Sequence, residues 1–107
     1  MILDTILKEL PNVYGREHNY EISDTGYLEN GAEFIKIRVS FGEILAYVDT
    51  DTSKMSSKSV AIFKLATEVD EKALSQFDKT TLVCDKENWT FAFFYFVNIL
   101  KKLKLDV

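Results

Sequence analysis

The sequence predicts a small α+β fold, and three patterns carry that prediction. A stretch of alternating apolar residues over 33–51 reads as a β-hairpin, and amphipathic helical stripes stand at both ends of the chain. The expected architecture is one domain over residues 1–107. It has an antiparallel sheet of three to five strands, with the N-terminal and C-terminal helices packed on one face.

Residues 2–10 form the first helix in this reading. Ile2, Leu3, Ile6, Leu7 and Leu10 make one apolar stripe, and Pro11 is expected to end it, because the residue before a proline is pushed out of the helical region. So short a helix is marginal alone and must dock on the sheet. Residues 17–23 read as a strand with Tyr20 and Ile22 on one face. Asp24-Thr25-Gly26 and Asn30-Gly31 carry turn chemistry.

In the 33–51 hairpin, Gly42-Glu43 reads as a two-residue turn with glycine first, the type II′ preference. That turn pairs Phe41 with Ile44, Val39 with Ala46 and Ile37 with Val48. It places Ile35, Ile37, Val39, Phe41, Ile44, Ala46 and Val48 on one apolar face, and sets Lys36 opposite Asp49 and Arg38 opposite Tyr47. A slip by one residue would turn the apolar set into water. Residues 52–59 (TSKMSSKS) read as a polar surface loop. Residues 59–67 (SVAIFKLAT) read as a strand, 70–78 as a short helix capped by Asp70 with Val69 stapled to Leu74, and 80–84 as a short strand.

The segment from Trp89 supports two patterns. As a helix, Asp85 caps it and Trp89, Ala92, Phe93, Phe96, Val97, Leu100 and Leu103 form a continuous stripe, with Lys101, Lys102 and Lys104 at the negative end of the dipole. As a strand, Trp89, Phe91, Phe93, Tyr95 and Val97 alternate on one face. Length selects the helix. Its second face, Phe91, Phe94, Tyr95 and Ile99, is also apolar, so the helix is either wholly core or partly a protein interface.

Composition bounds the function. The 107 residues are 47% hydrophobic and 28% charged, a globular balance. No apolar run approaches the ~20 residues of a membrane span, and the N-terminus lacks the basic region of a secretory signal. Cys84 is the only cysteine, so neither an intrachain disulfide nor a multi-thiolate zinc site can form. These features predict a soluble, cytoplasmic protein, and make the sequon Asn88-Trp89-Thr90 a chance match. The net charge of −4 argues against a nucleic-acid partner. The charge is uneven: residues 1–53 carry 10 acids and 4 bases, residues 54–107 carry 7 acids and 9 bases. That asymmetry favours a basic protein partner, although solubility alone also explains modest net charge.

Signals for catalysis are weak. His18 is the only histidine, and no nucleophile motif surrounds any serine or Cys84. Asp49-Thr50-Asp51-Thr52-Ser53 opens like a calcium loop, but the glycine and the closing glutamate are replaced by Lys54 and Val60. No phosphate-binding glycine loop is present, and neither cofactor nor metal is expected.

The sequence therefore predicts a non-catalytic binding protein, monomeric rather than a homodimer. Its most concrete form is an immunity-type protein that neutralises a bacterial toxin, such as a nuclease, through an acidic face. The expected contacts are Asp24, Glu29, Glu33, Asp49 and Asp51, with Tyr47 as an aromatic anchor. The alternatives are a chaperone for a secreted effector, dimeric through the aromatic C-terminal segment, a phage-encoded inhibitor of a host enzyme, and a small carboxylate-dependent enzyme.

Overall fold

The computed structural model describes residues 2–49 and 60–105, and for Leu105 the backbone alone. Eight elements follow one another: α1 (Ile2–Val13), β1 (Glu21–Tyr27), β2 (Glu33–Val39), β3 (Gly42–Val48), β4 (Ala61–Leu65), α2 (Glu71–Leu74), β5 (Thr81–Cys84) and α3 (Trp89–Leu105). The strands form one antiparallel sheet in sequence order, β1-β2-β3-β4-β5. This is the expected α+β arrangement.

Both long helices lie on the same face of the sheet. Ile35, Ile37 and Val39 from β2, Ile44, Ala46 and Val48 from β3, and Ala61 and Phe63 from β4 point into one core with Ile2, Leu3, Ile6 and Leu10 of α1 and Trp89, Phe93, Phe96, Val97 and Leu100 of α3. Every buried side chain among the described residues is apolar. Trp89 Nε1 donates to Glu9 Oε2 at 2.9 Å and ties the two helices together. No helix among the described residues is long and apolar enough to cross a membrane.

The C-terminal segment is a helix, and the predicted stripe is its buried side. On its second face Ile99 is buried, Phe94 packs on Tyr14 and Phe93, and Tyr95 Oη bridges the backbone N–H and C=O of Lys79, both at 3.3 Å. Only Phe91 stands out, 76% exposed.

Several boundaries differ from the sequence reading. Helix α1 runs through Pro11 to Val13. Pro11 and Leu7, whose carbonyl loses its donor, are on the exposed side, where solvent can satisfy that oxygen, and Tyr14 N resumes the ladder by donating to Leu10 O at 2.9 Å. Strand β1 begins at Glu21, not at residue 17, and runs through Asp24-Thr25-Gly26 as a strand. A bulge between Ile22 and Asp24 absorbs the irregularity, and the Phe34 ring lies over Gly26. Helix α2 is one turn, shorter than the expected 70–78, with Asp70 Oδ1 accepting from Lys72 N at 3.0 Å as its cap. The expected loop over 52–59 lies outside the described residues.

The hairpin register also differs. Val39 pairs with Gly42, Ile37 with Ile44 and Ile35 with Ala46, so the turn residues are Ser40 and Phe41. The predicted partners of Ile37, Val39 and Phe41 are therefore wrong. Lys36 faces Leu45 instead of Asp49, and Arg38 faces Glu43 instead of Tyr47. Glycine at 42 answers a tertiary need: a Cβ there would stand 2.5 Å from Thr67 Oγ1 and 2.8 Å from Leu100 Cδ2. The Thr67 hydroxyl instead accepts from Glu43 N at 2.6 Å. The partner shift is an even number of residues, so the apolar face stays on the core, apart from Phe41 in the turn.

Candidate protein-binding surface

Antiparallel order gives the sheet two chemically different ends. One end gathers the β1–β2 loop, the exit of β3, the start of β4 and the exit of β5. Its described residues include Glu29, Glu33, Asp49, Asp85 and Glu87, against a single base, Lys86. Carboxylates from three separate segments of the chain are therefore gathered at this end.

Local geometry fixes this end. Asn30-Gly31 makes the predicted turn: Gly31 has φ of 85°, Leu28 N donates to Ala32 O at 2.8 Å, and Asn30 Oδ1 accepts from Ala32 N at 3.0 Å. That turn carries Glu29 on its exposed side. Asp49 is held beside β4 by its N–H, which donates to Val60 O at 2.8 Å. Asp85 Oδ1 accepts from Glu87 N at 2.9 Å and Asn88 N at 3.1 Å, fixing the turn into α3.

The structure thus brings Glu29, Glu33 and Asp49 to the same end. Asp24 lies away from them on β1, opposite Lys36, with its Oδ1 accepting from Thr25 N at 2.9 Å. Asp51 lies outside the described residues. Tyr47 is half-buried on the face of the sheet opposite the helices, between Phe34 and Ile62, with Lys64 Nζ 5.8 Å from its ring centroid. The exposed aromatic of the acidic end is Tyr27, 74% exposed and opposite Glu33 in the register. Sequence reasoning missed it because Asp24-Thr25-Gly26 read as a turn. The alternation of Tyr27 with Thr25 was the available signal, and the bulge obscured it.

The other end carries an ion-pair network. Arg38 bridges Glu21 and Glu43, the latter at 3.3 Å, and the Ser23 hydroxyl donates to Glu43 Oε2 at 2.7 Å. The Ser23 hydrogen bond, with Arg38 and Lys36 adding to it, holds the Glu43 carboxyl below its ordinary value against the opposing effect of burial.

The reactive residue types stand apart. His18 is exposed and stacked on the Tyr14 ring at 4.7 Å. The Cys84 thiol is buried, contacts Ala61 O at 3.6 Å, and is pushed up to about 12 by burial with a contribution from Asp85. Among the described residues no group of three or more His, Cys, Asp and Glu side chains could hold a metal ion.

No protein-family model, curated protein or solved structure matches this chain.

Proposed function

We propose that the chain is a non-catalytic protein-binding domain whose acidic end engages a basic partner. In its most concrete form it is an immunity-type inhibitor that blocks a bacterial toxin such as a nuclease domain. The observation that carries this reading is that, among the described residues, five carboxylates and one lysine stand at one end of the sheet, with Tyr27 exposed beside Glu33.

The physics of such a surface suits a basic groove. Carboxylates on a rigid rim raise the local concentration of a cationic partner and accelerate encounter, an effect that fades as salt shortens the ~10 Å screening length. They can also occupy the lysine and arginine positions that a nuclease uses for phosphate. Tyr27 supplies broad contact area with little side-chain entropy to lose, the usual character of an interface anchor.

The test is association with a basic toxin domain encoded beside this chain's gene. The double substitution Glu29→Lys/Glu33→Lys should slow association at least about tenfold and flatten its salt dependence. Tyr27→Ala should chiefly accelerate dissociation. Unchanged association and salt dependence in the double variant would remove the electrostatic reading.

A further inference from the structure

Where β4 ends and β5 begins, at the end of the sheet away from the acidic one, a cavity of about 230 Å³ opens beneath α3. Phe96 and Ile99, both buried, line its depth, and Leu74 of α2 closes it from the side. Its mouth is polar: Lys79, Thr80 and Thr81 are all exposed there. The Tyr95 hydroxyl holds both backbone groups of Lys79 and so fixes this wall. Half-buried Thr67 lines the same cavity, and its Oγ1 accepts from Glu43 N, which leaves its own O–H proton to donate.

The charges that line this cavity are both positive. Lys64 turns its ammonium to the outer face, 5.8 Å from the Tyr47 ring centroid, whereas Lys79 forms no ion pair among the described residues. Glu68 and Asp78, adjacent in sequence to Thr67 and Lys79, do not line it. Glu43, joined to Thr67 through its backbone, commits its carboxylate to Arg38 and Ser23. The cavity therefore combines an apolar interior with one cation and three hydroxyls.

We propose that this cavity binds a small monocarboxylate with a compact apolar body, of the size of benzoate. A cavity of about 150 Å³ lined by aliphatic and aromatic side chains suffices for benzene, so this volume has room for a ring with its carboxylate at the mouth. There the Lys79 ammonium matches its single charge, and the hydroxyls offer donors to its two oxygens. A neutral apolar ligand would leave those donors unanswered, and an inorganic anion would have nothing to set against Phe96 and Ile99. The groove on the other side of Thr67, which Phe41 and Leu103 line, carries Glu68 and Asp70 beside Lys104 and does not share this charge preference. The acidic end lies at the far end of the strands, so the two sites can be filled independently.

Two-dimensional amide NMR of the full chain tests the site. The probe is sodium benzoate, set against benzyl alcohol, which keeps the ring without the charge, and sodium acetate, which keeps the charge without the ring. Benzoate should shift the Thr67, Thr80, Thr81 and Ile99 amides saturably, and should bind at least about tenfold more tightly than either control at matched ionic strength. Lys79→Met, an exposed position outside the core, should weaken benzoate about tenfold and leave benzyl alcohol unchanged. The absence of saturable shifts with benzoate would overturn the proposal. So would equal affinity for benzoate and benzyl alcohol in the native chain, shifts confined to the groove at Phe41 and Leu103, or benzoate binding indifferent to Lys79→Met.

Discussion

The two faces of the sheet solve different problems with the same strands. On the face against the helices, β2, β3 and β4 present aliphatic or aromatic side chains, apart from Glu33 at the end of β2, and most are fully enclosed. On the other face the same strands present Phe34, Lys36, Arg38, Glu43, Leu45, Tyr47, Ile62 and Lys64, a mixture of charge and aromatic surface. The first face fixes the pleat: any odd register slip would expose it to water. The second is released from that duty and can carry recognition.

That contrast can be broken or sharpened by experiment. The largest effect concerns Cys84, a core-face residue. With its thiol raised from 9.0 to about 12, alkylation at mildly alkaline pH should run about a thousandfold slower than for an exposed cysteine. Mass spectrometry of iodoacetamide-treated protein checks this, and the rate should rise to the exposed value in urea. Next is a pair of neighbours on β4. Phe63→Ala, in the core, should cost about 3–5 kcal/mol in urea unfolding. Lys64→Ala, one residue along on the other face, should stay within about 1 kcal/mol. Comparable losses would mean that the outer face is structural after all.

Gly42→Ala should cost about 1–3 kcal/mol, since the added methyl meets Thr67 and Leu100. Combining it with Thr67→Ser, which keeps the hydroxyl and removes a methyl, should leave most of that cost in place, because the closest atom is Oγ1. The smallest effect is Glu43→Gln, about 0.2–1 kcal/mol at neutral pH. The Glu43 carboxyl titrates lower folded than unfolded. Its contribution is therefore complete above the unfolded value and is lost as pH falls through the folded one. Urea midpoints of native and variant protein should converge as acid is added.

Much of the architecture was legible in the sequence because it rests on local periodicity. The alternation Ile35, Ile37, Val39 and the stripe Trp89, Phe93, Phe96, Leu100 describe the faces that are in fact buried. What failed was whatever depended on distant atoms. Gly42 read as a turn residue, yet its requirement comes from residues 67 and 100. Gly26 read as a turn, yet it lies in a strand beneath the Phe34 ring. Of the candidate contacts, Glu29, Glu33 and Asp49 proved to share one end, although charge counting alone could not gather them. Asp24, also an acid, lies elsewhere because it stands inside β1, opposite Lys36, away from the strand's end at Tyr27. Tyr27 was hidden by the same misread turn.

The indole of Trp89, the chain's single tryptophan, meets the carboxylate of a residue 80 positions earlier. Its emission is therefore a built-in optical gauge of whether the N-terminal helix is seated. Detachment of that helix would expose the ring to water and shift its fluorescence to the red while the strands stay paired. Stopped-flow fluorescence set against far-ultraviolet circular dichroism would then reveal whether the first helix leaves before the sheet, with no label added to the molecule.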